Sequence, residues 1–236
     1  MDVSIVSGHG KRYVRNGKGP ARPLTVKEWA RQREWSASSP KRPHGVTIGV
    51  VGMTHDIPAL HLQRAFELGR AIGIAGGMLV TGACHGTPLA AAEGAHREGA
   101  LVIGVSPGMS LAEHTLKYGS PVEHHDVLVF TGSGLMGREV VNIRTSEMVV
   151  VAGGHAGTLG ELAIAYVEGK IIGVLMGLGG ASKIVRQILR TCHNDDGPPV
   201  LYDHDPHRLV NRMMTLYRER RRSRTRSLAA SLKQAF

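Results

Sequence analysis

From Val46 onward, a short apolar run, a glycine-bearing turn and a helical stretch recur about every thirty residues, which restricts the chain to a parallel sheet wound with helices. The expected strands are 46–53, 78–83, 101–107, 127–130, 148–152, 171–177 and the PVLY segment at 199–202. Between them the spacing predicts helices over 58–75, 87–98, 136–147, 158–168 and 181–192, with a last helix from Pro206. The strands are near-continuous Val, Ile and Leu runs, as in strands buried on both faces. The expected architecture is α/β: a Rossmann-like doubly wound parallel sheet in three α/β/α layers, a single domain over 46–217 with basic terminal extensions. Such sheets bind ligands at the carboxyl ends of their strands, where strand order reverses.

Three strand-to-helix loops stand out. The first holds Gly52 and Thr54, the second Gly82, Cys84, His85, Gly86 and Thr87, and the third reads Gly153-Gly154-His155-Ala156-Gly157-Thr158. Glycine admits an anion close to the backbone, and the first amides of a helix lack internal partners. With the helix dipole they form a phosphate site, so these residues are the expected ligand cradle.

Thr158-Leu159-Gly160-Glu161 also reads as a capping box at the start of its helix. Arg138, expected in the first turn of its own helix, opposes that dipole and so suggests a guanidinium placed for an anionic ligand. Arg144 reads either as a second pocket residue or as a partner of Glu139 or Glu147. His85 and His155 are expected at one sheet edge, with Cys84 adjacent. Their spacing matches no metal motif, so no metal is expected and hydrogen bonds to ligand or loop are preferred.

The run from Arg138 to Glu161 resembles the LOG family, the lysine-decarboxylase-like or SLOG superfamily, whose mark is P-G-G-x-G-T-x-x-E. This chain has Gly153 where Pro is usual and His155 where the second Gly is usual, as in the GGGAGT-type branch. Ser146-Glu147 takes the place of a common Ser-Asp, and residues 80–108 resemble the family's first glycine-rich loop, helix and next strand. The resemblance implies a nucleoside 5′-monophosphate phosphoribohydrolase with Arg138 and Glu161 as its catalytic pair and no cofactor. It equally covers carriers or sensors of a nucleotide or molybdenum-cofactor-type ligand, and it implies a homodimer or higher homo-oligomer. No lysine lies in a setting that would support the older decarboxylase label.

The net charge of +10 sits at the ends. Residues 1–45 hold ten Lys/Arg against three acids and 218–236 seven against one, whereas 46–217 holds twelve against fifteen. The N-terminal extension is expected to be poorly ordered over its first 23 residues unless it docks on something, and its 25–35 segment could make a short helix. The Arg-rich tail, like that extension, is a candidate nucleic-acid contact. Two distant cysteines and the lack of a signal-peptide pattern suggest a reduced, cytoplasmic protein. No apolar run is long enough for a membrane span.

Overall fold

Isoleucine, valine and leucine at successive positions of short strands send side chains to both faces of a sheet, and here each face is roofed by helices. The computed structural model describes residues 3–8, 11–16, 22–23, 45–192 and 197–234. The chain divides into two units, Met1–His44 and Gly45–Phe236. In the first, β1 (Val3–Gly8) pairs antiparallel with β2 (Lys11–Asn16), and β2 with β3 (Arg22–Pro23). The expectation of poor order over the first 23 residues is thus corrected. Val3, Ile5, Val6 and Val14 favour extended backbone, a signal masked by the surrounding glycines and basic residues. The expected helix over 25–35 lies outside the described residues.

The second unit is the doubly wound body. Its strands are β4 (Thr47–Gly52), β5 (Met78–Thr81), β6 (Val102–Ser106), β7 (Val127–Phe130), β8 (Met148–Ala152), β9 (Ile171–Leu175) and β10 (Val200–Asp203). They form one parallel sheet in the order β10-β9-β8-β4-β5-β6-β7. The helices are α1 (Ala59–Ile74), α2 (Thr87–Arg97), α3 (Gly134–Thr145), α4 (Ala156–Val167), α5 (Gly180–Cys192) and α6 (Pro206–Gln234), with a π-helical turn at Glu113–Lys117. Val50 and Val150 face one core with Leu68 and Ala91 of α1 and α2 and Met213 of α6. Val51, Val149 and Val151 face the other with Ile143, Leu162 and Val185 of α3, α4 and α5. Each such side chain, fully buried, contributes about 1.5–3 kcal/mol. Among the described residues no helix is long and apolar enough to cross a membrane.

The chain runs outward from β4 to β7, then returns to lay β8 on the other side of β4. Gly52 and Ala152 therefore end neighbouring strands from opposite halves of the body. That pair of strand ends is the point where strand order reverses, and the loops after it face each other.

Two helix starts differ from expectation. α4 begins at Ala156, so His155 is its N-cap, without a side-chain cap bond, and the Thr158–Glu161 capping box does not form. Positive φ at Gly153 (80°) and Gly154 (107°) turns the chain early enough for the helix to start two residues sooner. α3 begins at Gly134, which moves Arg138 from the first helical turn to the second. The Arg-rich segment is no separate tail in backbone terms: α6 runs through it unbroken to Gln234.

Candidate functional site

The reversal point opens a cleft of about 280 Å³ between the ends of β4 and β8. Of the residues singled out in the sequence, Gly52, Thr54, Gly82, Arg138, His155, Ala156, Gly157, Thr158 and Glu161 line it. Gly153 and Gly154 form the turn beneath, where a Cβ on Gly154 would overlap the Thr158 side chain. Thr158 spends its hydroxyl on the Gly52 carbonyl at 3.3 Å, tying the two loops together, while the amides opening α4 have no acceptor inside their helix.

Glu161, 7% exposed, sits one turn further along α4 and accepts a hydrogen bond from Asn142 Nδ2 at 3.1 Å. Burial raises its carboxyl from 4.5 to about 7, against the pull of the Arg138 charge and with a push from Glu139. Arg138, 8% exposed, lays its guanidinium against Gly82, where any Cβ would overlap Nη1. Glycine at 82 is what lets that cation lie in the cleft wall. The Cys84 thiol shares the wall, pushed up by desolvation and partly offset by Arg138.

Three buried polar atoms on neighbouring positions of α3 have no hydrogen-bond partner: Arg138 Nε, Glu139 Oε2 and Asn142 Oδ1. Leaving such a group unsatisfied costs about 1–3 kcal/mol. Glu139, 6% exposed, faces the first turn of α4, 3.2 Å from where Cβ atoms would stand on Gly157 and Gly160. Burial raises its carboxyl, and Arg138 lowers it. At the mouth, the rings of His55 and His155 stack with centroids 4.6 Å apart and 7° between planes, bridging the loops after β4 and β8.

Other singled-out residues lie elsewhere. His85 does not join His155: its Nε2 meets the Gly119 carbonyl at 2.9 Å. Gly86 lines an adjoining hollow of about 580 Å³ between α1 and α2, which shares Thr54 and His55 with the cleft. Thr87 is fully buried, its hydroxyl accepting from Met53 N at 2.9 Å and donating to Ala152 O at 3.0 Å. Arg144 pairs with Glu168 at 2.7 Å and lies outside the cleft, so neither Glu139 nor Glu147 is its partner. Sequence reasoning passed over His55, Glu139 and Asn142. The last lies four residues after Arg138 on one helix face, a spacing that could have flagged it. Among the described residues no group of three or more His, Cys, Asp or Glu could hold a metal.

A doubly wound parallel sheet with buried Arg138 and Glu161 lining a cleft at its reversal point defines a Rossmann-like protein. More particularly, the chain belongs to the SLOG cluster4 family, whose pattern it matches over residues 45–210. An uncharacterized protein of Archaeoglobus fulgidus is 31% identical over 128 residues, 54% of this chain and 78% of that one. The molybdenum cofactor carrier protein of Chlamydomonas reinhardtii shares 26% identity at a TM-score of 0.61, covering 73% of this chain and 98% of its own. The molybdenum cofactor binding protein of Rippkaea orientalis shows the same fold at 24% identity and a TM-score of 0.62, over 74% and 99%.

Proposed function

We propose that the cleft binds a nucleoside 5′-monophosphate and hydrolyses its N-glycosidic bond to free base and ribose 5-phosphate, in a cytoplasmic homodimer. The observation that carries this reading is Glu161, a buried carboxyl near 7 beside Arg138, facing an open cleft. A group poised at working pH is suited both to accept and to return a proton. The phosphate would rest on the amides of Ala156–Thr158, with Arg138 orienting ribose or phosphate. The C1′–N bond breaks ahead of attack, its electron pair leaving with the base, and the Glu161 carboxylate stabilises the oxocarbenium-like state that results. Water then bonds to C1′ as it gives a proton to Glu161, which passes that proton to the departing base.

Incubation with AMP and N6-substituted forms should release free base, read by chromatography, and Glu161→Gln should reduce the rate at least about a hundredfold. Wild-type protein that binds the nucleotide yet leaves it intact would sink the hydrolase reading. The second reading is a carrier of a nucleotide or pterin-type cofactor, favoured by the 26% identity to the Chlamydomonas carrier. The unpartnered atoms of Arg138, Glu139 and Asn142 fit it as well, as positions for a retained ligand. Native mass spectrometry of freshly purified protein separates the two, since a carrier keeps its ligand and a hydrolase holds product or nothing.

A further inference from the structure

We propose that the outer half of α6 is a docking surface for duplex DNA and lies in the major groove. The inner half anchors the helix through Leu209, Val210 and Met213, all buried. Among the described residues its last tethers to the body are Tyr217, which donates to Glu147, and Arg220, which meets the Gly169 carbonyl at 3.5 Å. Arg218, Arg221 and Arg222 are exposed and, with Thr225, line one hollow. Among the described residues none of these three arginines is paired with a carboxylate. From Arg218 onward the chain carries seven basic residues and one acid, Glu219, while the body over 46–217 has more acids than bases. The net positive charge of the second unit is therefore concentrated on this helix.

The pattern selects among polyanions. At about 100° per residue, Arg218, Arg221 and Arg222 share one face, and Arg220 and Arg224 take positions on the opposite side, so the six arginines of 218–226 leave no side of the helix uncharged. No apolar residue stands between Arg218 and Arg226, so this stretch has no face to sink into a membrane. It also holds no aromatic residue on which unpaired bases could stack. A helix charged all round is complementary to a channel with phosphates on both walls. The B-form major groove is wide enough to admit a helix, whereas that of A-form RNA is too narrow. The Arg-rich stretch, residues 218–226, makes a rod of about 14 Å, about four base pairs.

The test is fluorescence anisotropy of the full chain with short duplex DNA, duplex RNA, single-stranded DNA and phosphatidylserine-containing vesicles across a salt series. Duplex DNA should bind tightest, and Arg218→Gln/Arg221→Gln/Arg222→Gln should flatten its log–log salt slope by about 2.7. The matching triple Lys variant should keep the slope, and circular dichroism of both variants checks that α6 is retained, since Arg221 also contacts the Tyr217 hydroxyl. A slope unchanged in the Gln variant overturns the proposal. So does equal or tighter binding to single strands, RNA or vesicles.

Discussion

Glu161→Gln removes one proton-binding group from the floor of the cleft while keeping the side chain's shape and an oxygen to accept from Asn142. In the folded chain the carboxyl stands at about 7 against 4.5 in the open. At about 1.4 kcal/mol per decade, ionising it in place costs about 3 kcal/mol more than in the unfolded chain. The folded state holds this proton the more tightly. The stabilisation is complete below pH 4.5, declines as pH rises toward 7, and is lost above it. Gln pays no ionisation cost at any pH. The variant should therefore match wild type near pH 4 and exceed it by about 3 kcal/mol at pH 8. That corresponds to about 6–12 °C in melting temperature for a body of this size. Paired melts of the two proteins from pH 4 to 8.5 measure it, and the difference cancels the titration of histidines common to both. A gap that stays flat with pH, or a wild type more stable at pH 8, would refute the burial argument. The same substitution should abolish base release, separating stability from activity at one atom.

Gly82→Ala should displace the Arg138 guanidinium, because the new methyl would overlap Nη1. AMP affinity by calorimetry should fall at least about tenfold, with about 1–3 kcal/mol lost in a urea melt. Glu139→Gln removes a negative charge from beside α4 and from beside Glu161. Anion affinity should rise, and the midpoint of the Glu161-dependent stability change should move below pH 7, as read by the same paired melts. Thr87→Val strips the hydroxyl that serves Met53 N and Ala152 O, and should cost about 1–3 kcal/mol without touching a cleft-lining side chain.

The sheet was legible because burial on both faces leaves unmistakable runs: Val50 and Val51 supply opposite cores from adjacent positions, as do Val149 and Val150. The cleft's glycines were legible because the loops must turn tightly, whereas Arg138 was singled out by a first-turn position that α3, beginning at Gly134, does not give it. What failed was the reading of Thr158. Its spacing to Glu161 is that of a cap, but the hydroxyl is claimed by Gly52, more than a hundred residues earlier. His85 failed for the same reason, since its partner is a backbone carbonyl of a distant loop. Glu139 and Asn142 were overlooked because a polar residue on a helix declares nothing until its surroundings are known to be dry.

The pairing of Gly52 with Ala152 sets when the cleft comes into being. Its two walls are joined by closing about a hundred residues of chain, so the complete cleft exists only once both halves of the body are in place. Contacts of such sequence separation form late and slowly. A ligand that needs both walls would thus report on completed folding and would stabilise the whole body by mass action.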